Sequence, residues 1–219
     1  MEFKLVSINV GQVQRERYHT KEIATGIYKM PTQEEVYVSS LQIGGDQQAD
    51  LINHGGKDQA ICAYSSEHFS YWEKMLNKPF MPGAFGENFT ISGLNEKNAC
   101  IGDVFEIGEA VIQISQPRQP CYKLGNKFNS EELPVLVQNT GYSGFYFRVL
   151  KEGFIKPEQN LRLVERIEKK ITVSFVNTLK YHDKYNIEGL KKLVEINELS
   201  VRWRNVFQTR LNEYTEKHL

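Results

Sequence analysis

Cys121 lies in the stretch Ser115-Gln116-Pro117-Arg118-Gln119-Pro120-Cys121-Tyr122-Lys123-Leu124. Two prolines stiffen this loop and withdraw two backbone donors, and Pro120 biases Gln119 away from helical backbone. Arg118 and Lys123 flank the thiol. Nearby positive charge favours the thiolate, the form that binds soft metals and attacks electrophiles. On residue chemistry alone, an inert buried thiol is the slightly better reading, because unpaired cysteine is among the most buried residue types. Cys62, between Ile61 and Ala63, and Cys100, between Ala99 and Ile101, read as packing thiols.

A second chemical cluster is Asn53-His54-Gly55-Gly56-Lys57-Asp58. Imidazole suits proton transfer at neutral pH, and Asp58 is placed to orient His54 or share its proton. The two glycines let backbone approach a ligand or take positive φ. The same residues fit a hydrogen-bonded tight turn, and residue types alone leave the two readings level. Gly86-Glu87-Asn88 reads as a polar turn between apolar runs. His68, His182 and His218 have no partners at metal-ligand spacing, and Arg148 reads as a structural or surface ion pair. His19 sits in the polar segment 12–21, expected to be a solvated loop, with a lid over a pocket as the alternative.

The elements that must hold these groups fall into two textures. As far as about Arg166 the chain is rich in Gly, Pro and short β-branched runs. Strands are predicted at 3–10, 35–41, 60–64, 110–115 and 161–164, which together suggest a closed or half-closed sheet. A helix is predicted over 66–76, with Phe69, Trp72 and Met75 on its buried face and Ser65 or Ser66 as its cap. After about Glu168 there is no Pro and one Gly, Gly189. Three helices fit there, over roughly 173–180, from 187 with Asn186 as cap, and from 201 with Ser200 as cap. Their apolar stripes, which include Trp203 and Phe207, are too narrow to stand alone, so they must pack on one another or on the sheet.

The 219 residues carry 27 Lys and Arg against 27 Asp and Glu, a formal net charge of zero. That balance gives no reason to expect nucleic acid or an anionic membrane as partner. Three widely spaced cysteines are not a disulfide framework, and no CxxC pair suggests zinc. With no signal-peptide pattern and no run of about 18 apolar residues, the chain is expected to be soluble and cytoplasmic.

Several ordered segments narrow this further. The loop SQPRQPCYKL resembles the cysteine signature of the MOSC domain. QADLINHGGKDQAICAY (48–64), PGAFGENFTISGL (82–94) with CIGDVFEIGEA (100–110), and TGYSGFYFRVL (140–150) are similar to the YiiM-type branch of that family. NELSVRWR (197–204) resembles its three-helix extension, and the likeness runs from about Ala24 to Leu211. One departure is Tyr142, where related sequences often carry a basic residue.

The resemblance implies a mainly β fold with α: a distorted MOSC-type barrel over 1–166 and a small three-helix region over 167–219. It implies a molybdenum–pyranopterin cofactor with Cys121 as metal ligand. The implied chemistry is reduction of N-hydroxylated small molecules, such as 6-hydroxylaminopurine-type bases, to amines with electrons from a separate redox protein. Cys121, His54 and Asp58 are then the catalytic candidates. Arg118, Gln119, Lys123, Asn88 and Lys57 are the cofactor-binding candidates. A homodimer is compatible with the sequence, and the alternative function is a non-catalytic carrier of the cofactor or of sulfur.

Overall fold

The computed structural model describes residues 1–51 and 54–217. In chain order the strands are β1 (Glu2–Val10), β2 (Gln14–Tyr18), β3 (Lys21–Thr25), β4 (Met30–Pro31), β5 (Val36–Val38), β6 (Ile61–Ser65), β7 (Phe89–Ser92), β8 (Val104–Ile107), β9 (Ala110–Pro117), β10 (Phe145–Lys151), β11 (Gly153–Ile155) and β12 (Asn160–Glu165). The helices are α1 (Phe69–Leu76), α2 (Tyr122–Phe128), α3 (Leu133–Thr140), α4 (Val173–Tyr181), α5 (Ile187–Val194) and α6 (Val201–Lys217).

Alternation explains how the long strands sit. In β1, Phe3 and Leu5 point inward while Glu2, Lys4 and Val6 face out. A bulge at Val6 then resets the register, so that Ile8 rather than Ser7 enters the core. In β9, Ala110, Ile112 and Ile114 point inward. The strands pair in the order β12-β8-β9-β10-β6-β7-β1, and β12 pairs back onto β1, closing a seven-stranded barrel. The β6–β7 pair is parallel and its neighbours are antiparallel. Closure removes the open edges that an isolated sheet would expose.

Phe89, Phe105, Phe145 and Phe147 fill the barrel with Ile61, Ile91, Ile112 and Ile114. The same cluster continues into the tail through Val176, Leu190, Trp203 and Phe207. A second cluster, built on Tyr64, Trp72, Phe85, Leu124 and Val137, lies beneath α1, α2 and α3. The tail helices start where expected. Thr172 accepts from the Phe175 amide, Asn186 from the Gly189 amide and Ser200 from the Trp203 amide.

Two sequence expectations are corrected. The segment 12–21 is not simply a solvated loop: residues 14–25 form the β2–β3 hairpin, turning at His19 with φ +51°. Its charged residues hide the apolar alternation that betrays most strands, and Glu16 docks it by accepting from Tyr28 Oη and Asn126 Nδ2. In α1, Trp72 is buried but Met75 is exposed, and Leu76 packs in its place. At 100° per residue, position i+7 returns to the face of Phe69 and i+6 does not. His218 lies outside the described residues. Among the described residues, no helix is long and apolar enough to cross a membrane.

Candidate functional site

Strand register assembles the floor of the site. Cys62 on β6 stands opposite Tyr146 on β10, which stands opposite Gln116 on β9. Phe147 pairs with Ile114, so Ser115 is a bulge residue. Its hydroxyl donates to the Asp58 carbonyl at 2.6 Å, with the Tyr146 carbonyl also in reach at 3.0 Å. Its own carbonyl accepts from the Ser200 amide at 3.0 Å. One bulge thus ties together the barrel wall, the turn after His54 and the start of α6.

Beyond β9, Arg118 donates its amide to the Gly144 carbonyl at 3.0 Å, and Cys121 caps the N-terminus of α2. Cys121 is where two cavities meet. The inner one reaches Arg118, Lys29, Asp46 and Cys62. The outer one reaches Gln116, Gln119, Tyr122 and, from α6, Arg202 and Trp203. Asp50, His54, Gln59, Cys121, Lys123 and Tyr146 line both.

The electrostatics single out Cys121. Burial by itself raises its thiol pKa, but the His54 hydrogen bond, the charges of His54 and Arg118 and the Lys123 backbone amide outweigh it. The net result is a thiol below its ordinary value, biased toward thiolate. Burial pushes the Cys62 thiol up instead, so the two cysteines of the inner cavity differ in reactivity. Arg118 is 8% exposed, and its buried Nη1 meets no partner among the described residues. Such a donor is costly to leave unmet and marks a place for an acceptor. Lys29 and Asp46 form a buried ion pair in the same wall.

The expected site residues divide. Cys121, His54, Arg118 and Lys123 come together around the cavities. Lys123 also donates to the Ala24 carbonyl at 2.9 Å. Gln119 is exposed and lines only the outer cavity. Asn88 lines the inner cavity, but its carboxamide accepts from the Cys62 amide and donates to Asn9 O and Asp46 Oδ2. It is a wall brace, with its polar edge already spent.

Asp58 is not the orienter of His54. Its Oδ1 accepts from Arg148 Nε at 2.9 Å and Nη2 at 2.8 Å, and it lines neither cavity. Arg148 is therefore the structural ion pair that its type suggested. Lys57 is exposed and also lines neither cavity. Gly56, at φ +93°, opens a 3-10 turn over Lys57–Gln59. Successive side chains of such a turn point about 120° apart, so one of the three faces inward, and that one is Gln59. The carboxylate beside His54 is Asp50, 3.7 Å from Nδ1.

Asp50, Gln59, Tyr146 and Arg202 are site residues that residue types did not reveal. For Asp50 the i, i+4 spacing to His54 was a usable signal; for the others none was. Tyr142 stands elsewhere, stacked on His68 at 3.9 Å, while His68 pairs with buried Glu96 at 2.7 Å.

The family model for the MOSC domain matches residues 50–162, and that for the YiiM-like, 3-alpha helix domain matches residues 171–213. YflK of Bacillus subtilis (strain 168) is 48% identical over 205 residues, covering 94% of this chain and 93% of its own. Protein YiiM of Escherichia coli (strain K12) is 34% identical, covering 94% of this chain and 91% of its own. A Gibberella moniliformis protein named as a reductase is 34% identical over 66% of this chain, a match spanning 26% of its own length. The crystal structure of YiiM from Geobacillus stearothermophilus superposes with a TM-score of 0.82 at 42% identity, covering 95% of this chain and 99% of that one. The chain belongs to the MOSC-domain family, in its YiiM-like branch with the three-helix region.

Proposed function

We propose that this protein is a molybdenum-cofactor-dependent reductase of N-hydroxylated small molecules, supplied with electrons by a separate redox protein. The observation that carries this reading is a thiolate-biased cysteine at the junction of two cavities, the inner of which holds a buried guanidinium with an unmet donor. The donor set fits a molybdenum–pyranopterin. Cys121 offers the soft thiolate that such a metal prefers. Arg118 offers a buried cation for an anionic or carbonyl oxygen. When bound, the group supplies a metal able to exchange two electrons and accept an oxygen atom.

The chain's own residues then hold, orient and protonate. Cys121 would hold the metal at the inner edge of the outer cavity. His54, against both Cys121 and Asp50, is placed to deliver a proton to the departing oxygen. The proposed conversion is R–NHOH plus two electrons and two protons giving R–NH2 and water. The N–O bond breaks, both electrons come from the donor protein, and the oxygen leaves as water. The kinship with a relative named as a reductase supports this reading.

The test is molybdenum and pterin analysis of protein made in a host that synthesises the cofactor, followed by reduction of 6-hydroxylaminopurine with reduced benzyl viologen. About one metal and one pterin per chain are expected. Cys121→Ser should lose the metal and the activity, and Arg118→Met should lower pterin retention at least tenfold. A wild-type chain without either component, or a Cys121→Ser variant that still reduces the substrate, would sink the proposal. Cofactor bound with no reduction of any N-hydroxylated compound would favour the carrier reading.

A further inference from the structure

Gln59 is 8% exposed, and its buried Oε1 has no hydrogen-bond partner among the described residues. A buried acceptor left unmet is costly, and the fold holds this one in place. The 3-10 turn that carries Gln59 is held by the Asp58–Arg148 ion pair, by Ser115 Oγ and by the Gln59 amide donating to the Gly56 carbonyl at 2.9 Å. Gln59 therefore sits on a fixed mount, and it lines both cavities together with Cys121.

The outer cavity has its own character. Tyr122, Trp203, Gln59, Gln116 and Gln119 all line it. Carboxamides match the alternating donors and acceptors along the edge of a nitrogen heterocycle or amidine, as glutamine does with adenine. Trp203 is delivered by α6, whose start is fixed to the site through the Ser200 amide and the Ser115 carbonyl. Arg118 lines only the inner cavity, while the charged or titratable groups lining the outer one are Asp50, His54, Lys123 and Arg202.

We propose that the outer cavity is the substrate chamber, that its far wall is supplied by the first turn of α6, and that Gln59 Oε1 reads an N–H on the substrate. This rests on the reductase reading and narrows its substrate class. The substrate presents an N–H donor at the reacting nitrogen or beside it. Gln59 acts as a specificity residue through that hydrogen bond. Compounds of the same shape that lack the N–H forfeit it.

The test uses the cofactor-loaded protein and adenine, an unreactive amine, titrated by calorimetry. Three variants are compared for adenine affinity, molybdenum content and thermal midpoint. Gln59→Leu should weaken adenine at least tenfold with molybdenum unchanged. Its ligand-free thermal midpoint should match or exceed the wild type, since leucine removes an unmet acceptor. Gln59→Glu keeps an acceptor oxygen and should stay within about threefold of wild-type affinity. Gln119→Trp, at an exposed position of the outer cavity alone, should block adenine and leave molybdenum in place. Wild-type adenine affinity in Gln59→Leu or in Gln119→Trp overturns the proposal. So does a fall in molybdenum that tracks the loss of adenine in Gln59→Leu, which would assign Gln59 to the cofactor. Failure of the reductase reading looks different: the wild type itself would lack molybdenum and pterin.

Discussion

Lys127 shows how the site's surroundings tax single residues. Its ammonium lies largely buried over the Tyr28 ring, donating to the Ile27 carbonyl at 3.2 Å and the Gly83 carbonyl at 3.0 Å. Burial lowers its pKa from the usual 10.5 to about 8, with Glu87 opposing and Arg118 and Lys29 adding to the shift. Below pH 8 folded and unfolded chains both hold the proton, and the fold bears the cost of burying the charge. Between about 8 and 10.5 the folded chain has released the proton and the unfolded chain has not. Stability from this group therefore rises with pH across that window, by roughly 3 kcal/mol at most. Lys127→Met should remove the dependence. Its stability relative to wild type, from urea unfolding, should fall by roughly 2–3 kcal/mol between pH 7.5 and 10; an unchanged difference would contradict the assignment. At this scale the sequence was readable where chemistry is local. Arg118 and Lys123 flank Cys121 in the chain, and Arg118 does lower its pKa. Asp58 misled because a carboxylate four residues after a histidine suggests a pair, whereas the guanidinium that claims it comes from 90 residues away.

Among the elements, the Ser115 bulge does most to shape the site. One extra residue in β9 turns a hydroxyl onto the Asp58 carbonyl and a carbonyl onto the Ser200 amide. Ser115→Ala should cost about 1 kcal/mol in urea unfolding, the worth of an ordinary buried hydrogen bond. Amide exchange should speed up at Lys57–Gln59 without a matching change in α4 or α5. Uniform acceleration would mean that the bulge acts on global stability alone. Helix starts in the tail were legible, because Asn186 and Ser200 cap through their own side chains within three residues. The β2–β3 hairpin was not, because its strands are amphipathic only in relation to α2 and Tyr28, which the hairpin meets after folding.

For the molecule as a whole, the barrel and the three helices share one apolar core. Val176, Leu190, Trp203 and Phe207 belong to the same cluster as Ile112 and Ile114 of β9. A chain ending at Glu168 should therefore lose cooperative unfolding in urea and expose apolar surface to dyes. A truncated barrel that unfolds in a single transition at the wild-type urea midpoint would show that the tail is an independent appendage. The sequence by itself determined the strand and helix periodicities, the helix caps and the rigid, cation-flanked loop around Cys121. All of these are set by interactions between near neighbours. Only the tertiary structure decided that Cys121 stands between two cavities, that Gln59 rather than Lys57 or Asp58 faces them, and that α6 closes the outer one. Those outcomes depend on strand register, a single bulge and ion pairs between distant segments, and no local pattern encodes them.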